Sequence, residues 1–271
     1  MVADGADREN EVDLVGAAEL MTPEKMAFLV SQTSGIVCAP MSGERCAELR
    51  LPQMVERNTD AHGTAFTVSV DHVDSGTGVS AAARTRTVRA LADHDTLAEQ
   101  LHRPGHVFPL RARDGGVLAR AGHTEAAVDL LAIAGLCQVG VISELVAAGG
   151  EMLRGDQAAG FADEHGLPLV AVADVVRYRT HIEKLLKDVA SATMPTVFGA
   201  SRAIAGRDAL DGTEHLAWPG LDDIAAPSVV SRSAELIADE GTGLIVYLRG
   251  YEGRASDWPT RSTRTRYRIR D

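Results

Sequence analysis

The run Thr64-Ala-Phe-Thr-Val-Ser-Val70 alternates, with Phe66, Val68 and Val70 on one side and Ala65, Thr67 and Ser69 on the other. A period of two predicts a strand. Elsewhere the spacing is helical. Thr22 is a good N-cap and is followed by Pro23 at the first helical position, which predicts a helix ending near Gly35. The stretch from His123 to Gly135 predicts a second helix, with Thr124 as its cap and Gly135 as its stop. Val139 to Val146 is a short apolar run that reads as a buried strand. Asp156 is expected to cap a short helix ending near Gly166, and Leu167 to Ala173 to form another strand. Beyond Tyr178 a polar helix is expected, supported by Glu183 and Lys187 four residues apart.

After about residue 180 the pattern weakens. Residues 193–242 are rich in Gly, Pro and Ala, and Gly243-Leu-Ile-Val-Tyr-Leu248 is the one clear strand signal. The tail from Arg254 carries six arginines in eighteen residues, read as a solvated chain end or an anion-binding arm. The chain therefore divides into regions 1–180 and 181–271, without internal repeats.

Composition narrows the class. A chain of 271 residues with 45% hydrophobic and 24% charged content can bury a core without disulfides. No run approaches the roughly 18 apolar residues of a membrane span, and the acidic start is unlike a secretory signal. The net charge, 27 − 38 = −11, argues against a general nucleic-acid binder. Cys38, Cys46 and Cys137 show no metal-site spacing, so a reducing cytoplasm is the expected compartment.

Several segments carry chemistry. Asp7, Glu9, Glu11 and Asp13 are spaced by two, so an extended chain would align four carboxylates, suited to a hard cation such as Mg²⁺ or Mn²⁺ or simply to a solvated acidic loop. Arg120-Ala-Gly-His-Thr-Glu125 places an arginine and His123 before a predicted helix, where unpaired N–H groups favour phosphate. There His123 reads either as a metal ligand or as an ordinary cap. His106, in a Pro/Gly-rigid turn, is a candidate acid or base. Glu144 interrupts an apolar strand and needs either a structural partner or a function. Cys38, in an apolar run, reads as a buried structural thiol.

Taken in order, Asp7-Arg-Glu-Asn-Glu-x-Asp13, Gly63–Asp71, Thr77-Gly-Val-Ser-Ala81, Arg103-Pro-Gly-His-Val-Phe-Pro-Leu110, Gly115–Ala126 and Glu144 resemble the 3,4-dihydroxy-2-butanone 4-phosphate synthase family over about residues 2–179. The resemblance implies an α+β fold with a mixed sheet flanked by helices, and a homodimer with active sites near the subunit interface. It implies a lyase using Mg²⁺ or Mn²⁺ to convert ribulose 5-phosphate to 3,4-dihydroxy-2-butanone 4-phosphate and formate. Carried over by residue, Glu9 and His123 resemble the metal ligands. Arg8, Asp13, Arg120 and Thr124 resemble substrate contacts, and His106 and Glu144, with the acidic groups Asp7 and Glu11, resemble the turnover residues. Residues 194–254 resemble the start of GTP cyclohydrolase II, but no cysteine follows Cys137, so the region is expected to be a small degenerate α/β remnant without a thiolate zinc site.

The first region also departs from the pattern. Gly5 and Ala6 replace two carboxylates of an acidic loop, Val12 replaces a glycine, Ala83 an aspartate, and Ala147-Ala-Gly149 a polar turn. Only three residues precede Asp4 where the family has a helix and a first strand, so either the start is misplaced or a core strand is missing. Two alternatives accompany the lyase reading: a paralogue acting on another sugar phosphate in specialised metabolism, and an inactive scaffold.

Overall fold

The computed structural model describes residues 1–5 and 8–183 in full, and 186–196, 199–208, 214–217 and 246–248 as strands. The chain falls into two units, Met1–Glu183 and Lys184–Asp271. The first is built on a seven-stranded mixed sheet. In chain order its strands are β1 (Val2–Ala3), β2 (Val12–Ala17), β3 (Cys38–Met41), β4 (Val70–His72), β5 (Leu101–Arg111), β6 (Gly140–Glu144) and β7 (Val170–Ala171). Their spatial order is β4-β5-β3-β6-β2-β1-β7, with β3–β5 and β1–β7 parallel and the other pairs antiparallel. The helices are α1 (Pro23–Gln32), α2 (Gly43–Glu48), α3 (Ala81–Ala92), α4 (His123–Ile133), α5 (Gly155–His165) and α6 (Val172–Ile182).

Strand alternation sends side chains to two covered faces. Ala39 of β3, Val12 and Leu14 of β2 and Val141 of β6 join one apolar cluster, with Met26 of α1, Val88 and Leu91 of α3 and Ala158 of α5. Their chain neighbours Cys38 and Ile142 point the other way, onto Ala127 of α4. That parity puts Asp13 and Glu144 on the α4 face as well, because they flank the inward residues of the first cluster and are register partners. Burying every turn of α4, an 11-residue helix, is what makes its acids and its histidine expensive unless they are paired.

Several local expectations need correcting. Thr22 does cap α1, accepting from Lys25 N–H at 3.3 Å, but the helix stops at Gln32. Thr124 is not a cap: Gly122 holds that position, and Thr124 lies inside the first turn of α4. Arg154 takes the cap position expected of Asp156, and Gly166, at φ +61°, stops α5 as its left-handed terminus. Only Val170 and Ala171 of the 167–173 stretch are strand, and Val172 already begins α6. Glu183 pairs with Arg179, and Lys187 lies on a strand where a helix is expected.

The Thr64–Val70 segment runs extended but pairs only at isolated bridges before β4 begins. Its neighbour β5 carries Pro109, which has no N–H to return, so the ladder is broken there. The polar side is the better buried one: Thr67 donates to Pro109 O at 3.1 Å, and Ser69 accepts from Gly105 N–H at 3.1 Å. A strand does precede the acidic segment, since Val2 and Ala3 pair with β2 on one side and β7 on the other.

The described part of the second unit is an antiparallel sheet, ordered β11-β10-β9-β8, of β8 (Leu186–Thr196), β9 (Gly199–Asp208), β10 (Glu214–Ala217) and β11 (Val246–Leu248). Pairing with neighbours stabilises strands whose own sequence is only weakly patterned. Of the strand expected at 243–248, the last three residues are described, and the arginine-rich tail lies outside the described residues.

Candidate active site

From Arg8 to Glu11 the acidic segment turns, and Asp4 holds it. Its Oδ1 accepts Glu11 N–H at 2.9 Å and its Oδ2 accepts Glu9 N–H at 3.2 Å, with Asn10 in the left-handed region at φ +53°. This bend, rather than an extended strand, brings the carboxylates together, and only Asp13 lies on β2. Asp4, Glu9 and His123 thereby gather ligand atoms within 4.8 Å of one another. His123 opens α4 with Nδ1 3.7 Å from Glu9 Oε2, while its buried Nε2 and the Oδ1 of Asp13 find no hydrogen-bond partner among the described residues. Orphaned buried polar atoms beside two carboxylates are what an oxygen- and nitrogen-ligated cation would satisfy.

The charges confirm how crowded this corner is. Burial pushes Asp13 up to about 7, with Glu144, Glu9 and Glu11 adding to the rise against the pull of His123. Burial by itself would lower His123, but Asp13, the nearby Glu9 carboxylate and the charge of Asp4 raise it to about 9. Glu9 is lowered, chiefly by the His123 imidazole beside it. Glu11 is raised, first by burial and then by Glu9 and Glu144.

Glu9, Asp13 and His123 line a cavity of about 230 Å³. Its polar wall includes Glu9, Asp13, Arg120, His123, Thr124 and Glu144, and its apolar floor is Cys38, Phe66, Leu110 and Ile142. A family model for 3,4-dihydroxy-2-butanone 4-phosphate synthase matches residues 1–178. The chain belongs to that family.

This synthase is thus an α+β enzyme of riboflavin biosynthesis. It is 44% identical over 281 residues to the riboflavin biosynthesis protein RibBA of Nocardia farcinica, covering 94% of this chain and 68% of that one. It is 45% identical to the RibBA of Salinispora arenicola, covering 66% of that protein. The chain therefore spans about two thirds of such relatives. Among solved structures, a 3,4-dihydroxy-2-butanone 4-phosphate synthase in complex with two magnesium ions superposes with a TM-score of 0.65 at 46% identity, covering 67% of this chain and 90% of that one.

Other residues of the synthase divide between this cavity and elsewhere. Arg120 donates from Nε to His62 O at 3.0 Å, from Nη1 to Glu125 Oε2 at 2.7 Å and from Nη2 to Thr64 Oγ1 at 3.0 Å. Gly122 lies between two arginines: a Cβ there would strike Arg120 Nη1 and stand 3.2 Å from Arg8 Nη1. Two guanidinium groups and the first turn of α4 therefore converge on one spot. Glu144 accepts from Ser34 Oγ at 2.7 Å. Glu11, with Arg154 Nη2 at 3.9 Å, and Arg8 stand outside the cavity wall.

His106 is not brought to this cavity. It projects from β5, with Nδ1 2.7 Å from Asp71 Oδ2. Asp7 lies outside the described residues. A larger cleft, about 470 Å³, lies beside Arg179 and Asp129, but that arginine already bonds Gly115 O and the carboxylates of Asp129 and Glu183. Cys38 is buried as expected, and its thiol is pushed up by burial.

Sequence reasoning gave no site role to Asp4, Ser34, Asp60, Thr64 or Glu125. Asp4 belongs to the acidic segment and Thr64 opens the alternating run, so both left a local trace. Ser34 meets Glu144 across 110 residues of chain, which no local pattern shows.

Proposed function

We propose that this synthase converts ribulose 5-phosphate to 3,4-dihydroxy-2-butanone 4-phosphate and formate, with Mg²⁺ or Mn²⁺ held by Glu9 and His123. The observation that carries the reading is the meeting of orphaned His123 and Asp13 atoms with Arg120 at one cavity. When bound, the cation polarises a carbonyl and stabilises negative charge on oxygen. Arg8, Arg120 and Thr124, at the start of α4, hold the phosphate, and the apolar floor excludes water from the carbon chain. Asp13, protonated up to about pH 7, gives and takes protons at its Oδ1. Glu144, held by Ser34, is the second proton carrier, with Glu11 and Asp7 of the acidic segment supporting it.

The same reading makes the protein a cytoplasmic homodimer that acts on a sugar phosphate and on neither nucleic acid nor a membrane surface. Among the described residues no helix is long and apolar enough to cross a membrane. The separation of His106 from the cavity of its own chain supports a site completed by a second copy. The second region, residues 181–271, is a GTP cyclohydrolase II-like remnant that neither hydrolyses GTP nor holds zinc, supported by the lack of any cysteine after Cys137. One tightly bound zinc per chain, or GTP turnover, would overturn that part.

Purified protein incubated with Mg²⁺ and ribulose 5-phosphate should release formate, and Glu9→Gln should lower this by at least about 10²-fold without loss of folding. Absence of formate together with a melting shift by other sugar phosphates would favour the paralogue. Neither response would favour the scaffold.

A further inference from the structure

We propose that Phe66 sets the length of substrate the cavity accepts, stopping an open-chain sugar phosphate at five carbons. This rests on the reading that Arg8, Arg120 and Thr124 hold the phosphate, and it adds a limit at the other end of the bound chain.

Phe66 stands apart from the rest of the apolar floor. Cys38, Leu110 and Ile142 belong to β3, β5 and β6 and are buried. Phe66 lies outside the seven strands and is half-buried, so among the described residues its ring is the apolar surface a ligand in the cavity meets. The ring is backed from behind. Phe108 meets it edge-on, with centroids 6.3 Å apart and planes at 79°. Both rings pack against the buried cluster of Cys38, Leu110, Ala127 and Ile142. The backbone is fixed as well. Ala65 O accepts Arg111 N–H at 3.0 Å, Thr67 N–H donates to Pro109 O at 3.0 Å, and Phe66 O accepts Met54 N–H at 2.9 Å. The ring can therefore move aside only by rotating its side chain, which Phe108 and the packed cluster oppose.

Arg120 joins this wall to the anion grip. Its Nη2 donates to Thr64 Oγ1 at 3.0 Å, and Thr64 is two residues before Phe66. Two residues of chain span at most about 7 Å, so the guanidinium and the ring are held at one short, fixed separation. A substrate whose phosphate sits at Arg120 and the start of α4 must fit its carbons between that grip and the ring. Contact chemistry sharpens the limit. A phenyl ring has no N–H or O–H donor and no oxygen acceptor. An extra CHOH unit pressed onto it loses water from its hydroxyl without a replacement partner. One carbon too many is thus opposed both by steric displacement and by an unpaired polar group. Pocket discrimination over a single carbon is typically about 10–200-fold.

Acyclic polyol phosphates test this without turnover, because they can neither close to a ring nor react as ketoses. Erythritol 4-phosphate, ribitol 5-phosphate and glucitol 6-phosphate lengthen the chain one carbon at a time. Calorimetric titration of the full chain with Mg²⁺ present should show no loss of affinity from the first to the second, then a fall of at least about tenfold at the third. Phe66→Ala should bring glucitol 6-phosphate to within about threefold of ribitol 5-phosphate, and Phe66→Leu should do so in part. Equal binding of those two probes by the wild type, or an unchanged ratio in both variants, would overturn the proposal. If Phe66→Ala does not fold, Phe66→Leu decides. Failure of inorganic phosphate and all three probes to bind would instead remove the reading of the phosphate grip, and the proposal with it. Absence of formate release from ribulose 5-phosphate, with the order of probe affinities intact, would remove the lyase reading alone.

Discussion

Asp13 of β2 and Glu144 of β6 stand directly opposite one another in the antiparallel ladder, so two carboxylates share one face of adjacent strands. Like charges so placed are unfavourable, and Asp13, buried and raised to about 7, relieves the conflict by holding a proton. Asp13→Asn keeps the shape and removes the proton exchange. It should lower formate release by at least about 10²-fold while the melting temperature stays the same or rises. Turnover within a few-fold of wild type would show that Asp13 moves no proton.

The wedge position of Gly122 gives a sterically clean experiment. Its φ of −119° is open to any residue, so Gly122→Ala adds a methyl group without backbone strain. That methyl displaces the Arg120 guanidinium and crowds Arg8. KM for ribulose 5-phosphate should rise about tenfold or more, with kcat less affected. An unchanged KM would remove the two arginines from phosphate binding.

The raised His123 links metal binding to pH. A folded pKa of about 9 against 6.5 means that its contribution to metal-free stability is complete below 6.5 and is lost as pH rises through about 9. The contribution of Asp13, raised from 3.8 to about 7, is lost as pH rises through about 7, so His123 carries the window above that. A cation needs the unprotonated imidazole, so Mg²⁺ binding should tighten by up to about tenfold per pH unit between 7 and 9. Melting curves with and without Mg²⁺ should therefore separate progressively over that range. A constant separation would exclude His123 as a ligand.

Arg179 ties α6 to the loop ahead of α4. It bonds Gly115 O at 2.7 Å and Asp129 Oδ2 at 2.8 Å, and Asp129 also accepts Val117 N–H at 2.8 Å. Arg179→Met would leave the Asp129 carboxylate buried without its cation. A loss of about 3 kcal/mol in urea-induced unfolding is expected. Asp129→Asn in the same background should recover part of it, and no loss in Arg179→Met would mean that the pair is screened by water.

The fold was legible where local signals agreed: Thr22-Pro23 started α1, and the apolar run at 139–146 became β6 with its bridging flanks. It was least legible where partners are distant. The polar side of Thr64–Val70 reads as solvent-facing, yet Thr67 and Ser69 are buried because β5 offers Pro109 O and Gly105 N–H. Of the candidate site, Glu9, Asp13, Arg120, His123, Thr124 and Glu144 meet at one cavity, but as a product of a turn made by Asp4 and of sheet parity, not of the extended acidic strand the spacing suggests. The position of His106 apart from the cavity had no local trace in sequence, because it depends on a register shift between β4 and β5 that only the paired strands define.

Arg120 has a consequence for how a ligand meets this wall. An arginine has five N–H groups, and three of these are already committed to His62, Thr64 and Glu125. The segment it fastens is also stitched internally, Asn58 to Thr64 O and Thr64 N–H to Asp60, both at 2.8 Å. Ordering a free segment costs about 1–2 kcal/mol per residue, and here that cost is met when the chain folds, before any ligand arrives. The same guanidinium keeps one N–H on each terminal nitrogen, so it can grip an anion without releasing the wall. A lysine, as a point charge without that planar fork, would have to choose.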